Sequence, residues 1–594
     1  MSRASTPTTP VQLLDWTSTS TIPPFTLLPD FSAAFKMQDP FPAPPSEEEQ
    51  LQYYHGLPSR PKLVARSNVH HPWVGQIGPW PPAKILSPAG NHIIADLWNN
   101  SDGPLRQGIL QALKPVNWTA IDILRIGVNP SYLNKTDEET TKHPTTLLIS
   151  VAPDSTSFEH GYPVVIQCRQ ILQHHGVNDV HCEMKESTVF SCGSPEIAPP
   201  SAPKLLTEPS QPPLGSKDRA MASVFLGASI GPSDQPSLQG SKGLYLRQKD
   251  TGAVLALTCR HVVFGETFPN EEYRYRQNDV TPRRTVVQPA KATLEDMKEE
   301  AADFIKNVET DIKRIELSHK PDETADFIKN VETDIKSIES SHKPDETKQQ
   351  EIEKHKASRD CYQQWQKTLD ELTNPTMRII GHVIFSPALR GCKHASGGLR
   401  LRDWALIETH PGKHELAPGL HNEVMVDYWD THQLRQVNRR EAPRITIPLL
   451  DEISATEKVR LQGIITEREM KHPKTLSHAD DPTIMVAKFG AKSKFTVGFT
   501  NSIKSVTRRP LSNLHLVVEE WCIIGRKHRN GLGRENFTQP GDSGACVWDV
   551  QGRIGGIVTG GGGNADMGYD VTYATPIEWL LDDFKEFGLD VELL

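Results

Sequence analysis

The sequence predicts a mainly β protein that carries a helical insertion and is preceded by a small α/β domain. Three observations carry that prediction. From about residue 221 onward, short apolar runs recur between glycines, among them MASVFLGASIG, GAVLALTCRHVVF, MRIIGHVIF, DWALIET, IMVAKFG, FTVGFTNSI, LHLVVEEWCII and IGGIVTGG. Many short strands punctuated by glycine mark a sandwich or a pair of barrels. Within that region, residues 290–373 switch to helical spacing, with Phe304, Val308, Ile312 and Ile315 on one stripe. Upstream, the proline-rich stretch 196–217, EIAPPSAPKLLTEPSQPPLGSK, reads as a linker between two globular parts.

Residues 1–60 are rich in Pro, Ser and Thr, with PFPAPPSEEEQ as the extreme, and are expected to be largely disordered. Residues 61–195 hold the strand patterns AIDILRIGV, TTLLISVAP and DVHCEMKES around one amphipathic helix, GYPVVIQCRQILQHHG, closed by Gly176. Strands interleaved with a helix give a small α/β domain, expected to be a regulatory or pro-domain. Residues 218–594 form the β-rich domain, with a polar stretch near 410–480 expected to hold loops. Its closing helix lies in PIEWLLDDFKEFG, with Pro576 in the first turn and Gly588 past the end.

The insertion contains a tandem repeat. Residues 302–324 recur at 325–347 with 21 of 23 positions identical, only Arg314/Ser337 and Leu317/Ser340 differing. Pro321 and Pro344 break the helices. An antiparallel hairpin or three-helix spur is expected, since two copies are too few for a solenoid. Duplication of a tolerant spacer is favoured over a dedicated partner-binding arm.

Composition excludes several classes. With 65 basic and 74 acidic residues the net charge is −9, so no global basic field points to nucleic acid. The N-terminal segment has no charged stretch followed by an apolar one, and no run of 18 apolar residues occurs, so neither secretion nor a membrane span is expected. Eight cysteines without a CxxC pair argue against a disulfide framework and a zinc ribbon. The expectation is a reduced, intracellular protein without cofactor. HADD at 478–481 and NVHH at 68–71 contain metal-type residues but lack a convergent partner, so no metal is expected.

Chemistry enters with GDSG at 541–544. Gly, Asp and Ser are the commonest turn formers, so the motif alone fits a turn as well as a nucleophile. A serine hydroxyl needs a base to take its proton, and the base needs a carboxylate to orient it. Two such residues lie upstream at strand ends. His261 follows the apolar run of LALTCRHVVF, and Asp403 precedes Trp404–Ala405–Leu406–Ile407.

The order His, Asp, Ser, with T-C-R-H-V, D-W-A-L-I, P-G-D-S-G-A and the following GGIVTGGG, resembles the chymotrypsin-like (trypsin-like) serine proteases. The spacing agrees. His261 and Asp403 are 142 residues apart, or 58 without the insertion, and about 210 residues remain for two small barrels. The resemblance implies a double β-barrel, with His261 as general base, Asp403 as its orienting partner and Ser543 as nucleophile across the cleft. It further implies an oxyanion hole from the N–H groups of Gly541 and Ser543, a contribution of about 3–4 kcal/mol per donor. Thr559 falls where the family carries a small hydroxyl residue beside the triad carboxylate. Gly560 and Gly561 would leave an edge open for a peptide to add as a strand.

Departures from the family pattern shape the rest. Phe537, six before the nucleophile, stands at the base of the primary specificity pocket and cannot select Arg or Lys, so small or apolar side chains are expected there. No Ile-Val-Gly-Gly occurs near residue 220, so Asp542 is expected to meet an internal partner or to act only in the turn. Cys546 is expected to be a small buried residue. In the N-terminal part, YYHGLPSRPKLVARS, GNHIIADLW, WTAIDILRIG and GVNDVHCEMKES resemble predicted intracellular serine proteases of filamentous fungi. The chain is therefore expected to be a serine endopeptidase acting on proteins or peptides, and on itself at the 196–217 linker. The alternative is a catalytically silent, protease-like module that binds peptides.

Overall fold

The apolar, glycine-punctuated run from 485 to 576 folds into six strands whose pairing closes on itself. They are β1 (Met485–Gly490), β2 (Lys494–Leu511), β3 (Leu514–Gly525), β4 (Cys546–Asp549), β5 (Ile554–Asn564) and β6 (Gly568–Pro576). β1 pairs with β2 and β4, β4 with β5, β5 with β6, β6 with β3, and β3 with β2, every pair antiparallel. Closing a sheet satisfies backbone groups that an open edge would leave exposed. The computed structural model describes residues 42–594, apart from 74, 76–80, 129–142, 192–220, 266–267, 277–282, 318–344, 394–396, 411–419, 512–513, 529–532 and 565–566. Pro45–Leu594 forms one compact unit. The 196–217 linker, most of the second repeat copy and residues 1–41 of the N-terminal segment lie outside the described residues.

A second, nine-stranded sheet is built from strands that precede the closed circuit in the chain and from one that follows it. Its path runs Val591–Leu593, Leu244–Gln248, Val254–Thr258, Ala405–Thr409, Ile379–Ser386, Thr285–Val287, Ser229–Pro232 and Gly240–Ser241, with Tyr273–Arg274 added on Ile379–Ser386. Among the described residues this path stays open. The molecule is thus mainly β, with one closed and one open set of strands.

The N-terminal part joins the closed circuit through backbone pairing. Strands Leu63–Arg66, His181–Glu186, Thr145–Val151 and Trp118–Val128 lie side by side, and Trp118–Val128 continues onto β2 through Ile121 opposite Val506. Thr145–Val151 and His181–Glu186 run parallel, which requires a long crossover, supplied by the helix Phe158–His174. Val164, Val165, Cys168 and Leu172 of that helix pack on Ile121, Ile123, Ile149 and Met184. Residues 46–60 differ from the expected disorder. Ser46 caps a helix over Glu47–Gln52, and the hydroxyls of buried Tyr53 and Tyr54 donate to Glu183 at 2.6 and 2.9 Å. Two adjacent tyrosines with a buried acceptor anchor what composition alone marked as disordered.

The insertion forms two long helices, α1 (Lys291–Leu317) and α2 (Asp345–Glu371). They run antiparallel: Lys298 pairs with Asp370, Phe304 stacks on Tyr362, and Ile312 clusters with Ile352. The stretch 410–480 is not only loops. It holds helices Tyr428–Glu441, Leu450–Thr456 and Glu467–Lys471, and reciprocal caps start the first (Asp427, Asp430) and the third (Thr466, Glu469). In the closing helix, Ile577–Glu586, Pro576 is the N-cap instead of lying in the first turn, and Gly588 has φ +72° beyond its end.

Glu519 of β3 gathers side chains from separate parts of the chain. It contacts Ser101 and Arg106, accepts from Lys504 at 3.0 Å, and lies 3.5 Å from Arg400. Burial opposes its charge, but those three cations hold its carboxyl down at about 2.

Candidate active site

Strand Val254–Thr258 ends in a single helical turn, Arg260–Phe264, and that turn delivers His261. Asp403 sits between strand Leu399–Arg402, which pairs with β3 of the closed circuit, and strand Ala405–Thr409 of the open sheet. Its neighbours are clamped: Asp583 of the closing helix accepts from Arg402 Nε at 2.9 Å and from Trp404 Nε1 at 2.7 Å. Ser543 lies in the turn that leads into β4.

These three residues, 142 and 140 positions apart, meet in a line. His261 Nδ1 is 2.6 Å from Asp403 Oδ2, and the His261 backbone N–H donates to Oδ1 at 3.2 Å. His261 Nε2 is 2.7 Å from Ser543 Oγ. A carboxylate beside Nδ1 can only accept, so the Nδ1 proton faces Asp403 and Nε2 is left to accept from the serine hydroxyl. Burial alone would push the Asp403 carboxyl up. The facing imidazole, its hydrogen bonds and the charge of Arg509 outweigh burial and hold the carboxyl below its ordinary value.

The turn that carries Ser543 is fixed from beneath. Asp542 is fully buried against Lys488 Nζ at 3.2 Å. Its carboxylate also accepts from the backbone N–H groups of Lys492, Ser493 and Gln539 at 2.9, 3.1 and 2.9 Å, and from Ser493 Oγ at 2.6 Å. The internal partner expected for Asp542 is therefore a lysine of β1. Lys492 in turn reaches Asp296 of α1 at 3.0 Å, tying the base of the helical hairpin to this loop.

Gly541 has φ +101° and Gly544 φ +88°, conformations that L side chains rarely adopt. A Cβ at Gly544 would also strike the Ser241 carbonyl and the Thr258 hydroxyl. Gly544 N–H donates to Val558 at 2.8 Å, Asp542 N–H to Gln539, and Ala545 N–H to Asp542. Among the described residues, the N–H groups of Gly541 and Ser543 enter no such bond.

No family model matches the chain, and no curated protein matches it. Among solved structures, one match is a glutamic acid-specific serine protease that uses a histidine triad in substrate binding. It is 8% identical, with a TM-score of 0.26, over 62% of this chain and 100% of that one. Another is a chymotrypsin of Cellulomonas bogoriensis, 14% identical, with a TM-score of 0.19, over 36% of this chain and 80% of that one. Overlaps that slight carry no argument, and the chemistry stands on the distances above.

The remaining site residues sit as follows. Thr559 is fully buried, and its hydroxyl lies 3.3 Å from Glu520 Oε2, 3.3 Å from the Tyr573 carbonyl and 3.4 Å from Arg509. Among the described residues it makes no hydrogen bond to Asp403. Near Asp403 stands instead the buried pair Arg509–Glu520, at 3.0 Å. Burial and the Asp403 charge push the Glu520 carboxyl up against the pull of Arg509. Sequence reasoning missed this pair, although TRRP and VVEEW place charges inside otherwise apolar strands. Phe537 is 1% exposed and packs with Val558, Tyr569 and Ala574, with Lys488 Nζ 5.5 Å from its ring centre. Gly560 and Gly561 lie on β5, where Gly561 stands opposite Phe190 of the short strand Thr188–Phe190. Cys546 is buried, and burial pushes its thiol up.

One group of donor atoms has metal-like proximity: those of Cys259, His261 and Asp403 all lie within 4.8 Å of one another. Two of the three already hold each other across 2.6 Å, and the Cys259 thiol faces the Val558 carbonyl at 3.2 Å. Within HADD, Asp480 and Asp481 are engaged by Arg444 and Arg125. No described helix is long and apolar enough to cross a membrane.

Proposed function

We propose that the chain is a serine endopeptidase. The single observation that carries the reading is the unbroken relay Asp403–His261–Ser543, at 2.6 and 2.7 Å. Ser543 Oγ attacks the carbonyl carbon of a peptide bond while its proton passes to His261 Nε2, and Asp403 stabilises the imidazolium. The former carbonyl oxygen becomes an oxyanion that the Gly541 and Ser543 N–H groups receive. Collapse expels the amine, which takes the proton from His261, and leaves an acyl-enzyme. Water then attacks the ester, giving its proton to His261, and the second collapse returns that proton to Ser543. His261 follows one strand of the open sheet, Asp403 precedes another, and Ser543 precedes β4 of the closed circuit, which suits a cleft between the two sets of strands. With Phe537 in the apolar interior, small or apolar side chains at the cleavage point are favoured over Arg or Lys. The seven described cysteines are all free thiols, which suits a reducing compartment.

A fluorophosphonate probe tests the reading. It should label the wild type and leave Ser543→Ala unlabelled; an unlabelled wild type, or equal labelling of both, ends it. Self-cleavage between 196 and 217 belongs to the same proposal, with the preceding part as a pro-domain. It predicts that wild type is shortened on expression and Ser543→Ala is not. A second reading, a peptide-binding module without turnover, is favoured by one observation: Ser543 is fully buried. It predicts peptide binding with no labelling.

A further inference from the structure

β5 has two edges, and its two neighbours in the closed circuit cover them unequally. β6 pairs with residues 556–564, whereas β4 pairs only with Ile554, Gly556 and Ile557. Farther along, on the β4 side, Thr188–Val189–Phe190 pairs antiparallel, with Phe190 opposite Gly561, Val189 opposite Gly562 and Thr188 opposite Gly563. Four successive glycines, 560–563, raise no side chain against an added strand. Approach is close: a Cβ at Gly560 would run into the Phe190 carbonyl oxygen. The Phe190 ring stacks on Tyr569 at 6.0 Å and 21°.

Chain direction adds a second argument. Passing from Thr188 to Phe190 moves along β5 from Gly563 to Gly561, toward Thr559 and Val558. Ser191 continues that way, its Oγ accepting from Arg509, which also donates to the Thr559 carbonyl, both at 3.3 Å. The next residue, Val558, accepts from the N–H of Gly544, the neighbour of Ser543. An extended chain in this register therefore heads for the nucleophile. The occupying strand is short, and Thr188 and Phe190 are only half buried, marks of an element that opens more readily than the sheet it joins.

We propose that the chain's own Thr188–Val189–Phe190 is an internal competitor for the Gly560–Gly563 edge, which an extended peptide with an aromatic residue opposite Gly561 must displace. The proposal rests on the peptidase reading only for what happens after the peptide is seated. Seating itself uses backbone hydrogen bonds and the Tyr569 face, neither of which needs turnover.

The test is fluorescence anisotropy with labelled acetyl-Ser-Thr-Val-Phe-Ser-amide on full-length chains carrying Ser543→Ala. Adding Phe190→Asp should tighten binding at least tenfold, and a peptide with Asp in place of Phe should bind neither chain. Phe190→Ala, a milder change, should give a smaller step in the same direction and stands in if Phe190→Asp does not melt cooperatively. Equal affinity for chains with and without the Phe190 change, or no binding to a folded Phe190 variant, overturns the proposal. Probe labelling with Ser543 intact separates the two readings. Phe190-dependent binding without labelling ends the peptidase reading and keeps the strand site. Labelling without Phe190-dependent binding does the reverse.

Discussion

At Asp403, burial and charge oppose each other most directly. Its folded pKa lies below the ordinary value of about 3.9, so its ionised form stabilises the fold above that pH, and the contribution is lost as pH falls through the folded value. Asp542 is depressed in the same sense, burial opposing and Lys488 prevailing. The gap in melting temperature between wild type and Asp403→Asn should therefore narrow as pH drops below about 4. At neutral pH, Asp403→Asn should leave the geometry intact, yet lower kcat for a peptide substrate by about 10⁴ through the wrong imidazole tautomer. Lys488→Met should act differently. It strands a buried carboxylate at a cost of about 3–5 kcal/mol, seen in thermal melts, and slows probe labelling although the His261–Asp403 contact is untouched.

Among the elements, the helical hairpin divides into a base and a tip with different expectations. Near the base, Leu294, Met297, Ala301 and Leu369 belong to the main core, and Thr293 Oγ1 lies 2.7 Å from Ser229 Oγ. Farther out, among the described residues, Val308, Ile312 and Ile352 form a separate cluster with Phe304 and Ile315. Replacing residues 305–358 with a short Gly-Ser turn should leave the melting temperature and probe labelling near wild type. Extending the deletion through Leu294 should cost several kcal/mol of buried apolar surface. The hairpin was legible in the sequence because one stripe of apolar residues repeats at helical spacing over many turns. The helices Tyr428–Glu441 and Glu467–Lys471 were obscured by charged residues, and only Asp427-x-x-Asp430 and Thr466-x-x-Glu469 marked their starts. The meeting of His261, Asp403 and Ser543 was legible because each sits in a short local motif. Arg509 and Glu520 were not, since what gives them meaning is a hairpin pairing that sets their strands side by side. Asp583 was hidden similarly: its role depends on a helix near the C-terminus reaching residues on either side of Asp403, about 180 positions upstream.

Over the whole molecule, Glu519 joins the N-terminal layer, the strand ahead of Asp403 and the closed circuit at one buried carboxylate. With a folded value of about 2 against about 4.3 unfolded, it stabilises the assembly above that unfolded value, by on the order of 3 kcal/mol, and the gain is lost as pH falls toward 2. Glu519→Gln should lower the melting temperature at pH 7, and the difference from wild type should shrink in acid. Hydrogen exchange should show helix Pro104–Ala112, which carries Arg106, loosening first. Thr188–Phe190 has a consequence of a kinetic kind. It emerges from the N-terminal layer, where Ser187 is fixed by its N–H to Val151 and by Thr119 to its carbonyl. An occupant tethered that closely is present at a local concentration of about millimolar or more, set by the covalent path. Dilution cannot wash it out. Progress curves should thus begin with the same lag or the same suppressed slope at every enzyme concentration, whereas a separate inhibitor chain would release its target as the sample is thinned.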